Sequence, residues 1–196
     1  MKLGAFKPIF QQVDDSCFSA TLKVVLDKFG FKLSVKVINK AVGYKRGHAV
    51  IGDNTAGLDN LHNKYLRPKG YTIRRGGGTK MTFDVLKEIV NNISLSPPIV
   101  SVSQDYFRER DKRYRAIGIE GTQYQHQLVV SDVDEANGSI DVFDPLAFRN
   151  KNGIVKVLIT NFADYWDATA RDTIWIYKGK DEPILDAGQL GISEWM

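Results

Sequence analysis

The sequence is poor in the residues that crosslink a chain or hold a metal, because it contains one cysteine, Cys17, and three histidines. A single cysteine excludes an intrachain disulfide and a zinc site built from several thiolates. His48, His62 and His126 are far apart in the chain, and none of them lies in an HExxH motif. We therefore expect neither a metal site nor a cofactor.

Long apolar runs are also missing. No segment approaches the roughly 18 consecutive apolar residues that cross a bilayer, and residues 1–12 lack the apolar stretch of a secretory signal. We expect a cytoplasmic protein without a membrane span. The formal net charge of +4 is a small excess, so it allows an acidic partner but does not demand one.

The composition and the apolar pattern are those of a folded α+β chain. Of the 196 residues, 43% are hydrophobic, which suffices for a sizeable core in a single domain. The first half has helical periodicity and the second half alternates as strands do, which together predict an α+β fold. Helices are predicted at 15–30, after Ser34, at 58–65 and after Thr82, with a short helical turn at 162–166. Strands are predicted at 99–103, 127–132, 139–143, 154–159 and 173–178.

Cys17 lies in the first turn of the predicted helix 15–30. Unpaired backbone N–H groups and the helix dipole at this end favour an anion, so a thiolate at this position would be a ready nucleophile. The alternative interpretation is a small buried apolar residue, which is a common role of a free cysteine.

A nucleophilic cysteine needs a base, and His126 can be paired with an orienting carboxylate. If residues 126–132 and 138–144 form a hairpin closed by a five-residue loop, His126 lies opposite Asp144 and both side chains share a face. The same register pairs Leu128 with Val142 and Val130 with Ile140.

A second register is possible for this hairpin. A two-residue turn at Asn137 and Gly138 would set the face of His126 against Ser139, Asp141 and Phe143. We prefer the first register because its apolar pairing is unbroken. Even in that register, a purely structural His–Asp pair remains an alternative to a catalytic one.

A thiolate that attacks a carbonyl also requires a site for the resulting oxyanion. A backbone N–H at the start of the Cys17 helix offers one donor, and a side-chain amide just upstream can offer the second. Gln11 and Gln12 precede Cys17 by six and five residues. A solvated surface position is the more common place for a glutamine, so the residues alone leave this choice open.

The order of these residues resembles that of the papain-like cysteine peptidases, and within them the C39 and C39-like group known for processing bacteriocin leaders. In that group a Gln stands six residues before a Cys that opens a long helix. A His follows much later on a strand, and an Asp followed by Pro lies on the next strand. This chain has Gln11, Cys17, His126, and Asp144 followed by Pro145.

The resemblance implies a papain-like fold in which an N-terminal helical half packs on a C-terminal antiparallel sheet. It implies one C39-like peptidase domain over residues 1–196, with a core at about 8–178 and a C-terminal tail at 179–196. The connection 104–125 is longer than expected for the group, and its position directly before His126 would let it overhang the cleft as a substrate-binding lid. A solvated, charged excursion is the alternative for this connection.

The resemblance also implies a role for each polar residue of the motif. Cys17 would be the nucleophile of a cysteine peptidase and His126 its general base. Asp144 would orient the imidazole, and Gln11 would help to hold the oxyanion. The partner would then be a peptide or protein substrate.

Two other classes of function stay open. The same thioester chemistry serves acyl transfer to an amine, as in transglutaminase-type enzymes, and it also serves amidases. A non-enzymatic module is the other class, either an inactive relative or a nucleic-acid binder.

The connection 104–125 motivates the nucleic-acid alternative, because it combines cationic with aromatic residues. These residues are Arg108, Arg110, Lys112, Arg113 and Arg115, with Tyr106, Phe107 and Tyr114. Glu109 and Asp111 interrupt the run and the net charge is only +4. Nucleic acid is therefore not the expected partner.

Overall fold

Helices and strands account for most of the described chain. The computed structural model describes residues 9, 17–44, 55–103, 106, 125–147 and 152–179. The helices are α1 (Cys17–Lys28), α2 (Val35–Ala41), α3 (Thr55–Leu61), α4 (Phe83–Asn91) and α5 (Ile159–Asp167). The strands are β1 (Tyr71–Gly76), β2 (Ile99–Ser103), β3 (Gln125–Asp134), β4 (Ser139–Phe143), β5 (Ile154–Leu158) and β6 (Thr173–Lys178). α3 continues into a π-helical turn, His62–Leu66, and a 3-10 turn, Arg67–Lys69.

The helix ends are set by local chemistry that the sequence displays. Thr82 caps α4, since its side chain accepts a hydrogen bond from the Val85 N–H at 3.3 Å. Ser34 caps α2 in the same way through Val37. Gly30, just beyond α1, has a φ of 76°, a left-handed conformation that glycine adopts without strain. Among the helices in the described ranges, none has both the length and the apolar character that a bilayer crossing requires.

The strands form a six-stranded antiparallel sheet in the order β1-β6-β2-β3-β4-β5. β3 lies between β2 and β4, so both of its edges are hydrogen-bonded. The last strand, β6, inserts between β1 and β2, which joins the strand that follows the N-terminal helices to the rest of the sheet.

Two apolar layers cover the two faces of this sheet. On one face, α1, α2 and α3 pack against sheet residues that include Val129. On the other face, α4 and α5 pack against residues that include Leu128 and Val130. Side chains along β3 alternate between these layers. By this alternation His126 lies on the same face of β3 as Leu128 and Val130. α1 packs against the opposite face of β3.

The register of the β3–β4 hairpin differs from both registers considered for the sequence. Val130 pairs with Val142 and Asp134 with Ser139, and a β-bulge lies between Val130 and Asp132. The preferred register, with Val130 opposite Ile140, is therefore wrong by two residues. The turn has four residues instead of five, and the bulge adds a residue to β3.

The shift of two residues preserves the faces of the strands. Side chains of even-numbered residues of β3 before the bulge still lie on the same face as Val142 and Asp144. The pairing of Val129 with Phe143 places the residue after β4, Asp144, diagonal to His126 instead of directly opposite it. His126 and Asp144 therefore remain neighbours although the predicted register is wrong.

All five predicted strands are observed, but a sixth strand, β1, was not predicted. Arg74 and Arg75 interrupt its apolar pattern, and Arg74 is nevertheless buried, with its Nη2 donating to Tyr177 Oη at 3.0 Å. Arg75 pairs with Asp172 at 2.7 Å. The predicted turn at 162–166 is also too short, because it is the centre of the full helix α5.

Candidate active site

Cys17 is the first residue of α1 and is buried, with 6% of its surface exposed. The residue next to Cys17 bears on whether this cysteine is a nucleophile or a small buried apolar residue. The Cys17 side chain lies close enough to His126, whose strand belongs to a distant part of the chain, to raise the pKa of the imidazole. A purely apolar role does not require this contact.

His126 and Asp144 form a buried pair at one end of the sheet. His126 is the second residue of β3 and Asp144 follows the last residue of β4. In an antiparallel pair the beginning of one strand adjoins the end of the next, which brings the two side chains together. His126 Nε2 lies 2.8 Å from Asp144 Oδ1, and the two residues are only 1% and 4% exposed.

Several groups hold the Asp144 carboxylate in place. Its Oδ1 also accepts a hydrogen bond from the Leu146 backbone N–H at 2.8 Å, and its Oδ2 accepts one from Tyr106 Oη at 3.1 Å. The Asp144 backbone N–H donates to the Gly153 carbonyl at 2.9 Å. A carboxylate withdrawn from water requires such donors, since an unsatisfied buried charge is costly.

The charges around His126 favour its protonated form. Burial by itself lowers the pKa of His126, but the charge and hydrogen bond of Asp144, with further contributions from Cys17, raise the pKa from 6.5 to about 9. The imidazole is consequently a cation at neutral pH, positioned between a carboxylate and a sulfur atom. This arrangement can stabilise a thiolate and can also donate a proton.

The structure brings together three of the four residues proposed for the site, Cys17, His126 and Asp144. Gln11 and the alternative Gln12 lie outside the described residues. The sequence motif does not include Tyr106 or the Leu146 N–H, both of which donate to Asp144. The Asp-Pro turn was a signal for the Leu146 contact, since an aspartate side chain often binds a backbone N–H two residues ahead.

The connection 104–125 is described at its first end only through Tyr106 and at its last through Gln125, the first residue of β3. Tyr106 is 1% exposed and contacts the His126–Asp144 pair. It is therefore not available to stack on a nucleic-acid base, which corrects its place in that hypothesis. The basic residues of the connection lie outside the described residues.

Residues 4–174 match the model of the Peptidase_C39 like family, which is most of the chain. No curated protein matches the chain significantly.

Solved structures of peptidase domains resemble the chain in fold. The peptidase domain of Streptococcus ComA, a bifunctional ABC transporter of a quorum-sensing pathway, is 16% identical with a TM-score of 0.55, over 88% of this chain and 97% of that one. A protein from Bacillus anthracis named as a C39-like peptidase is 16% identical with a TM-score of 0.62, over 89% and 96%.

A third structure was solved with a peptide bound. It is the double glycine motif protease of an AMS/PCAT transporter in complex with the leader peptide, and it is 14% identical with a TM-score of 0.50, over 88% and 89% of the two chains. At these identities the likeness shows the fold alone. The fold is the papain-like α+β fold of C39 peptidase domains, and the predicted fold class is confirmed.

We predict that the His126–Asp144 pair makes stability depend on pH. The pKa of His126 is higher in the folded chain, about 9, than in the unfolded chain, about 6.5. The contribution is complete below pH 6.5 and is lost as the pH rises through 9, by up to about 3 kcal/mol. Urea unfolding of the wild type and of Asp144→Asn from pH 6 to 10 measures this effect. The stability difference between them should shrink with rising pH, and parallel curves would contradict the charge pairing.

Proposed function

Because the chain belongs to the Peptidase_C39 like family, we propose that it is a cysteine peptidase that hydrolyses a peptide bond in a peptide or protein. The observation that supports this most strongly is that one imidazole, His126, is hydrogen-bonded to Asp144 and also has its pKa raised by the nearby Cys17 side chain. A structural His–Asp pair has no need of a cysteine at a helix start.

The two nitrogens of His126 have different roles in this proposal. Nε2 faces Asp144, so Nδ1 is the nitrogen available to the Cys17 sulfur. Asp144 then holds the ring orientation and stabilises the imidazolium, in the manner of the third member of a catalytic triad. The raised pKa of His126 keeps the proton on the ring at neutral pH.

Acylation begins when the Cys17 thiolate attacks the carbonyl carbon of the scissile bond. A sulfur–carbon bond forms and the carbonyl oxygen takes up the electron pair. When this intermediate collapses, the carbon–nitrogen bond breaks and the imidazolium of His126 gives its proton to the departing amine. The products of this half-reaction are the free amine and a thioester on Cys17.

Deacylation uses the neutral imidazole that remains. His126 takes a proton from water as the water oxygen attacks the thioester carbonyl carbon. The carbon–sulfur bond then breaks, which releases the carboxylic acid product and restores the thiolate–imidazolium pair. An amine in place of water gives acyl transfer by the same steps, so product masses with and without an added amine distinguish the two reactions.

We predict that Cys17 and His126 are each essential for hydrolysis. Cys17→Ala and His126→Gln should each lower kcat/KM on a cleaved peptide by at least about a thousandfold, because both groups act in the same steps. Mass spectrometry of a peptide library identifies the substrate, and steady-state kinetics measure the loss. His62→Gln is the matched control, since His62 is also a buried histidine but belongs to the turn after α3 and not to the motif. Undiminished hydrolysis by Cys17→Ala would refute the assignment.

The oxyanion formed in both half-reactions needs donors that the proposal assigns to the Cys17 backbone N–H and the Gln11 side chain. We predict that Gln11→Ala lowers kcat by about a hundredfold with little change in KM, because the donor acts mainly in the transition state. Gln12→Ala, one residue away, is the matched control and should retain activity. If Gln12→Ala shows the loss and Gln11→Ala does not, the oxyanion donor has been assigned to the wrong glutamine.

A further inference from the structure

We propose that Tyr106 is a positioning residue of this site, which fixes the Asp144 carboxylate with its hydroxyl and the His126 imidazole with its ring. The proposal rests on the proposed function, since such positioning has a catalytic effect only if His126 and Asp144 take part in the reaction. Tyr106 comes from the connection between β2 and β3, and neither the motif nor the strand pattern assigns it a role.

The hydroxyl acts on the oxygen of Asp144 that does not face the histidine. Oδ1 receives His126 Nε2 and the Leu146 N–H, both at 2.8 Å, whereas Oδ2 receives Tyr106 Oη at 3.1 Å. Donors on both oxygens oppose rotation of the carboxylate about its Cβ–Cγ bond. Asp144 is 4% exposed, so without the Tyr106 hydroxyl its Oδ2 loses a hydrogen-bond donor in a buried place. Rotation of the carboxylate away from His126, toward another donor, then becomes more favourable.

The ring of Tyr106 acts on the imidazole. The two ring planes are inclined by only 24° and their centroids are 6.2 Å apart. Tyr106 is 1% exposed, so it covers the His126–Asp144 pair on its side and keeps water from competing for the hydrogen bond. In a medium of low dielectric that hydrogen bond is stronger than it would be in water.

Tyr106 is itself held from α5. Tyr165 packs edge-on against it, with ring centroids 5.7 Å apart and planes at 84°. Tyr165 is 5% exposed, so the contact lies in the apolar layer between α5 and the sheet. The orientation of the imidazole is thus tied through Tyr106 to the helix that covers this face.

Tyr106 links the connection between β2 and β3 to the His126–Asp144 pair. It lies three residues after the end of β2, in the connection that leads to β3 and His126. The connection therefore supplies a residue to the interior of the site, in addition to any part it plays at the cleft. A substitution or movement that displaces Tyr106 would therefore act directly on Asp144 and His126.

The test compares Tyr106→Phe with Tyr165→Phe in the full chain. Each variant removes one hydroxyl from the same aromatic cluster, but only the first removes a donor to Asp144. Tyr106→Phe should lower kcat by about tenfold and leave KM within about twofold, whereas Tyr165→Phe should retain the wild-type values. Tyr106→Leu, which removes the ring as well, should lower kcat further.

Two readouts separate positioning from a loss of stability. The first is the proton NMR signal of the His126 Nε2–H, assigned by its absence in His126→Gln, which should shift or broaden in Tyr106→Phe and stay unchanged in Tyr165→Phe. The second is the rate of Cys17 alkylation by iodoacetamide at neutral pH, which should fall several-fold in Tyr106→Phe. Thermal unfolding of each variant gives the folded fraction for both measurements.

The outcomes decide whether Tyr106 positions Asp144 and His126 or only stabilises the fold. A Tyr106→Phe variant with wild-type kcat and an unchanged Nε2–H signal overturns the proposal. So does a loss of kcat that only follows the folded fraction. The alkylation rate and the NMR signal need no substrate, so they test the positioning of His126 even if no peptide is cleaved. If no peptide is cleaved, the proposed function is refuted, and the alkylation rate and the NMR signal alone decide whether Tyr106 positions His126.

Discussion

The hydrogen bond between His126 Nε2 and Asp144 Oδ1 is the interaction on which the site depends, because it joins two charged groups that are almost completely withdrawn from water. Such a pair is retained only where the remaining oxygens and hydrogens are also satisfied. The Leu146 N–H and the Tyr106 hydroxyl satisfy the Asp144 oxygens. The pairing of β3 with β4 brings His126 and Asp144 close enough to bond. The site is thus an extension of the β3–β4 pairing, which α1 completes by placing Cys17 at the same imidazole.

Much of the framework could be predicted from the sequence, because the determinants are local. The helix starts after Ser34 and Thr82 depend on short-range features, and the structure confirms both of them. Strands such as β2, β4 and β6 have apolar patterns with clear boundaries, and their predicted bounds match. The resemblance to C39 peptidases rested on the order of four polar residues, and the family match supports it.

The remaining features depend on contacts between distant residues. The predicted register of the hairpin was wrong because a β-bulge after Val130 has no clear signal in the sequence. β1 was missed because Arg74 looks like a solvent-exposed residue, whereas its guanidinium is buried against Tyr177. Tyr106 looked like one aromatic residue in a charged connection, and only the fold brings it to Asp144. Each of these cases joins residues whose pairing no local pattern specifies.

The most direct test of the account is the NMR titration of the His126 imidazole in the wild type and in Cys17→Ala. Asp144 and Cys17 both raise the pKa of His126, which should be about 9 in the wild type. Removal of the sulfur should lower the pKa measurably, because one charge and one hydrogen bond that favour the imidazolium are lost. An identical titration in both proteins would contradict the contact between Cys17 and His126, and a wild-type pKa near 6.5 would contradict the pairing with Asp144.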